Sequence, residues 1–155
     1  MYYAKDLAAY IVTKCIEDGE PISNLYLQKI LYSAQELFLT VRRERLIADE
    51  FEAFGFGACV PNVYYSYCHY GAEKITMERV GKVVEIDPVT KSVVDWITET
   101  YRRLKPWEIP QPEAWKIIWD NGKGKEQVIP VKLIMDVYDR QTGRKKKFEE
   151  NLEKN

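Results

Sequence analysis

"SNLYLQKILYSAQELFLTVRR", residues 23–43, decides the fold. Leu27, Ile30, Leu31, Ala34, Leu37, Phe38 and Val41 recur at three- and four-residue spacing, so one apolar stripe runs the length of the stretch. Ser23 or Asn24, just after Pro21, supplies the cap that starts it. The spacing predicts a helix over 24–43, about 30 Å long, through the centre of the fold. Beside the apolar stripe Gln28, Tyr32 and Gln35 follow one another at four and three, with Lys29 alongside. Read as a helix rim, this amide and phenol stripe is expected to face solvent and to hold a partner by hydrogen bonds and aromatic burial.

Upstream, Leu7, Ala8, Ile11, Val12, Cys15 and Ile16 mark a first helix that Gly19 is placed to end. Downstream, "FEAFGFGACVP" (51–61) is not a phosphate cradle. Val60 stands where a dinucleotide fingerprint needs its third glycine, and no Gly-Lys-Ser/Thr follows. Residues 49–60 therefore read as irregular or briefly extended chain around an aromatic-rimmed turn. Pro61 opens a short third helix with Val63, Tyr64, Tyr67 and Cys68 on one face and Gly71 as its stop. Residues 75–86 are β-branched enough for a short β segment. Asp87-Pro88 opens a fourth helix carrying Val89, Val93, Trp96, Ile97, Tyr101 and Leu104. Pro106, Pro110 and Pro112 then make a connector, with Trp107 and Ile109 expected against the core. A helical turn around Trp115–Trp119, a flexible turn at 121–125 and a last helix after Pro130, with Val131, Ile134, Met135 and Tyr138 on one side, complete the pattern. The fold class that follows is mainly α, a single compact helical domain.

Composition agrees with a globular chain. A length of 155 residues is enough for one domain to bury about 70% of its unfolded surface. With 23 basic against 24 acidic residues, nothing global draws it to nucleic acid or membrane. The start "MYYAKD" is charged and no apolar run approaches the ~18 residues of a span, so a cytoplasmic location is expected. Cys15, Cys59 and Cys68 lack CxxC spacing and suit reduced, buried thiols.

Catalytic chemistry is poorly provisioned. His69 is the single histidine, and adjacent Cys68 would project about 100° away from it on a helix. A Cys/His-dependent enzyme is the weakest of the functional alternatives, and no catalytic residue, cofactor or metal set is assigned. Asp49, Glu50 and Glu52 read as solvated carboxylates on a connector. The basic run Arg144–Lys147 is diluted by Glu149, Glu150 and Glu153, so the charged tail over 140–155 reads as a solvated helix end, with a nucleic-acid-binding regulator as the alternative.

Taken together, "ISNLYLQKILYSAQ" (22–35), "FEAFGFGACVPNVYYSY" (51–67) and "HYG" (69–71) resemble the Panacea family of antitoxins, the SocA-like or GepA-like phage-associated proteins. Leu27, Gln28, Lys29, Leu31, Tyr32 and Gln35 match its first motif; Ala53, Phe56, Gly57, Val60, Pro61, Tyr64, Tyr70 and Gly71 match or approximate its second. Phe54, Ala58 and Cys59 replace a usual Trp, Pro and Val. The resemblance implies a helical domain over 1–139 without catalysis that binds and blocks a cognate toxin protein, or in one variant delivers it to the ClpXP protease. It places Leu27, Leu31, Phe56, Gly57, Pro61 and Gly71 as shaping residues, Gly57 being the turn glycine and Gly55 incidental. Gln28, Lys29, Tyr32, Gln35, Phe54 and Tyr64 are then the expected partner contacts, joined in one groove if the turn folds back beside the second helix.

The central placement of that helix is testable. Leu31→Asp puts an unpaired charge in the core and costs several kcal/mol, enough to unfold many domains. A thermal melt identical to wild type would contradict it.

Overall fold

The structure, a computed structural model, describes residues 1–77 and 84–153, and for 144–149 the backbone alone. Helix α1 (Ala4–Glu17) buries Leu7, Ala8, Ile11, Val12 and Cys15 and stops at Gly19, whose φ of 73° closes the turn. Its start has no cap from its own flank. Asp49 reaches back instead, and its Oδ1 accepts from the Ala4 N–H at 2.7 Å while its Oδ2 accepts from Asn62 at 3.0 Å. The carboxylate expected to be merely solvated thus satisfies a helix end.

Helix α2 (Asn24–Leu37) is capped by the Ser23 hydroxyl and passes directly into a π-helical turn, Phe38–Arg42, which ends at Arg43 in the left-handed region. It packs against α1, the strand β2 (Gly57–Cys59), α3 (Pro61–Tyr67) and α4 (Pro88–Arg102), so it occupies the centre of the fold. Leu27, Ile30, Leu31 and Ala34 are wholly buried.

The chain over 51–59 is a hairpin. Strand β1 (Phe51–Phe54) pairs antiparallel with β2, Phe54 opposite Gly57, and also with β3 (Gln127–Ile129), Phe51 opposite Ile129. The order β2-β1-β3 makes a small sheet on an otherwise helical domain. Helix α5 (Glu113–Asn121) lies over it, and the Trp115 indole donates to the Phe54 carbonyl at 2.6 Å. A second tie from the preceding segment, Gln111 Nε2 to the Phe56 carbonyl at 2.7 Å, fixes the turn. Helix α6 (Val131–Glu153) packs on α5 and the π-turn, where Arg43 grips Asp139 at 2.6 and 3.2 Å.

Several expectations are corrected. On α4 the buried face is Thr90, Val94, Ile97 and Thr98, while Val89 and Trp96 are exposed. Both threonines bond locally, Thr98 to the Val94 carbonyl and Thr90 to the capping Asp87, so their hydroxyls cost nothing to bury and the helix turns about one residue from its apparent apolar face. Trp107 is 78% exposed on a short 3₁₀ turn, Pro106–Glu108, whereas Ile109 is buried as expected. Cys68 is exposed; Cys15 and Cys59 are buried. Of the expected β segment at 75–86, residues 78–83 lie outside the described set and the rest is not strand, although Ile75 and Ile86 are both core residues. The side chains of the basic run Arg144–Lys147 and of Glu149 also lie outside it.

The two turn glycines separate cleanly. Gly57 has φ 139°, and a Cβ there would stand 2.8 Å from Gln111 Oε1; at Gly55 a Cβ would meet only the Trp119 ring at 3.6 Å. Gly57→Ala should therefore lose about 1–3 kcal/mol and Gly55→Ala no more than about 0.5, read from urea midpoints. Equal losses would contradict the assignment.

Candidate functional site

The amide stripe of α2 is not a surface. Gln28 and Gln35 are both fully buried and Tyr32 is 4% exposed. The reason lies in the chain that crosses the helix. Gln35 Oε1 accepts from the Leu46 and Ile47 N–H groups at 3.0 and 2.8 Å, and its Nε2 donates to the Ile47 carbonyl at 3.2 Å. Gln28 Oε1 accepts from the Val60 N–H at 3.0 Å, and its Nε2 donates to Asn24, which in turn donates to the Tyr64 carbonyl at 2.9 Å. Two irregular segments are thereby held in the core with their backbone groups satisfied. The expectation that these amides face solvent is corrected: they bond the protein's own backbone and, for Gln28 Nε2, the Asn24 side chain.

Tyr32 and Lys29 lead elsewhere. Three adjoining hollows, of about 30, 240 and 290 Å³, run along α2 and share Ser33 and Tyr101 as walls. Lys29, Tyr32, Phe56 and Gly57 line the smallest, with Gln111 opposite. Glu36 and Tyr138 line both larger ones, and the largest opens onto Val41 and Trp96. The floor is one helix face from Lys29 to Thr40, a length of about 16 Å. The walls are Tyr101 of α4, the Pro110-Gln111-Pro112 segment, and Ile134, Val137 and Tyr138 of α6. A hydroxyl bond between Ser33 and Tyr101 fixes the shared wall.

Polar groups in this groove are under-satisfied. Among the described residues the Tyr32 hydroxyl and Gln111 Oε1 are buried without a hydrogen-bond partner. Glu36 is exposed, though the protein atoms crowding its carboxyl push it above the ordinary carboxylate range; burial pushes the Lys29 ammonium down, and burial and the nearby Glu36 charge hold the Tyr32 phenol far above the usual tyrosine value. At the rim Val41 is 66%, Trp96 65% and Tyr138 38% exposed. Aromatic side chains and polar groups around a long groove are the composition found at binding surfaces.

The remaining predicted residues fall into two places. Phe54, Phe56, Tyr64 and Tyr65 form one aromatic cluster, Phe56 stacked on Tyr64 at 4.9 Å and Tyr65 exposed. Phe56 touches both this cluster and the groove, so the turn does fold back beside α2, but Phe54 and Tyr64 do not line the hollows. Leu27 and Leu31 are core, Pro61 opens α3, and Gly71 closes the following turn with φ 59°. His69 is exposed against Tyr70, Cys59 is pushed up to about 12 by burial, and among the described residues no group of His, Cys, Asp or Glu is arranged to hold a metal. Sequence reading missed Glu36, Tyr101 and Gln111. Only Gln111, held extended between two prolines, carries a local signal.

The chain is 35% identical to Antitoxin SocA of Caulobacter vibrioides (strain NA1000 / CB15N) over 79 residues, 51% of this chain and 42% of that protein. The match thus spans less than half the length of the curated relative. It supports a relationship to SocA-like antitoxins. No protein-family model and no solved structure matches the chain. Among the described residues no helix is long and apolar enough to cross a membrane.

The contrast between the two kinds of α2 side chain is measurable. Gln35→Ala strands two buried N–H groups and should cost about 2–4 kcal/mol. Tyr32→Phe removes a hydroxyl that bonds to nothing and should leave stability unchanged or slightly higher, by urea denaturation. Equal destabilisation by both would contradict the assigned roles.

Proposed function

We propose that this chain is an antitoxin that neutralises a cognate toxin protein by direct binding, with the α2 groove and its Trp96 rim as the contact surface. The observation that carries the reading is the likeness to Antitoxin SocA. The groove adds what such a role requires: a long aromatic-walled cleft with Trp, Tyr and unpaired polar groups, the composition of binding hot spots. Its carboxylates, Glu36 and Glu113, weigh against the nucleic-acid alternative at this face. Delivery of the bound toxin to the ClpXP protease is a variant of the same function that uses the same contact.

The test expresses each neighbouring reading frame alone and beside this chain. One of them should kill alone, be harmless beside this chain, and co-purify with it. Trp96→Ala should then weaken the complex by more than about 1 kcal/mol without moving the melting temperature, because the indole is exposed in the free protein. Trp107→Ala, at an exposed indole outside the groove, is the matched control. A toxin half-life shortened only when ClpXP is present identifies delivery, and an unchanged half-life identifies masking. Absence of any protected toxic neighbour would overturn the antitoxin reading, and equal binding by both Trp variants would move the contact off the groove.

A further inference from the structure

The two larger hollows are lined by Glu36 and Glu113 and, among the described residues, by no lysine or arginine. Among the described residues Glu113 is engaged by the neutral Gln141 amide, at 2.6 Å. Glu36 has no ion pair among the described residues, and the last turn of α2 that carries it holds no basic residue. The Glu36 side chain is exposed at the mouth of these hollows and faces no cation among the described residues, so it is open to an incoming positive charge. Around it stand Tyr101, Tyr138 and Trp96, the last two exposed.

We propose that Glu36, with the aromatic side chains of Tyr101, Tyr138 and Trp96, is the seat for an arginine side chain of the partner protein. The chemistry selects a cation because, among the described residues, the charge lining the two larger hollows is acidic, and Lys29 lines only the narrow far end. It selects arginine over lysine because a guanidinium is planar, weakly hydrated, stacks on aromatic rings and bonds a carboxylate through two N–H groups at once. Glu36 is then the residue that sets which partner is accepted. The exposed carboxylate gains its ion pair only in the complex. This rests on the partner-binding reading above and names the chemistry of what enters the groove.

The probe is a blocked tripeptide, acetyl-Leu-Arg-Leu-amide, titrated into the ¹⁵N-labelled protein beside its Leu-Glu-Leu and Leu-Leu-Leu counterparts. The arginine peptide should shift the amides of Ser33–Thr40, Thr100, Tyr101 and Tyr138 saturably, about tenfold more tightly than either control. Glu36→Gln should weaken it by roughly fivefold while Glu36→Asp retains part of the binding. Glu36→Gln should also melt no lower than wild type, which a merely structural carboxylate would not allow. Trp96→Ala, at an exposed position, gives a second reading that folding does not confound. Shifts elsewhere, equal binding of the three peptides, no binding at all, or a Glu36→Gln titration identical to wild type would overturn the proposal. So would concentration-dependent self-association through this face, abolished by Trp96→Ala, since a second copy would then be the occupant. The peptide experiment needs no toxin, so it decides this point whether or not a toxic neighbour is found.

Discussion

Two buried glutamines on one helix hold the rest of the molecule in register. Gln28 and Gln35 lie two turns apart on α2, and each closes a pattern of hydrogen bonds with backbone that is neither helix nor paired strand at the point of contact. The connector at Leu46–Ile47 bridges in turn to the N-terminus, where Tyr2 exchanges backbone bonds with Leu46 and Ala48 at 2.8 Å. At the other clamp, Val60 leads directly into Pro61 and α3. A buried N–H without a partner costs about 1–3 kcal/mol, so without these amides the two segments could not cross the core. The helix therefore spends its polar stripe on its own fold.

That allocation explains what was legible in the sequence. Helices α1, α2 and α3, the starts at Ser23 and Pro61 and the stops at Gly19 and Gly71 follow from local signals, whereas the Asp49 cap of α1 comes from a distant segment and carries none. The hairpin was readable only as a turn, and β3 not at all: three-residue strands have no period to detect, and the sheet exists because α5 covers it. The face of α4 was misjudged because Thr90 and Thr98 bond within their own helix and so behave as apolar residues. Gln28 and Gln35 were rightly marked as unusual and wrongly placed in solvent. An amide beside an apolar stripe has the same spacing whether it meets water, a partner or the protein's own backbone.

The groove lies on the side of α2 that the clamps leave free. Its parts come from α2, α4, the proline segment and α6, so no single stretch of sequence carries it. The π-helical turn contributes by carrying Thr40 and Val41 to its lower end, and such irregular turns recur at functional sites. Gln111 joins the two halves of the account. Its Nε2 holds the turn through the Phe56 carbonyl, its Oε1 stands where a side chain at Gly57 would go, and the same Oε1 is an unpartnered acceptor beside the groove. The motif glycine and the groove are thus one piece of geometry.

Native-state hydrogen exchange tests the clamp account most directly, because it reads individual amides. If Gln28 and Gln35 hold the crossing segments in the core, the Val60, Leu46 and Ile47 N–H groups exchange only by global unfolding, as slowly as Leu31 in the middle of α2. Exchange of those three amides at the rates of an exposed loop, with Leu31 still protected, would contradict it.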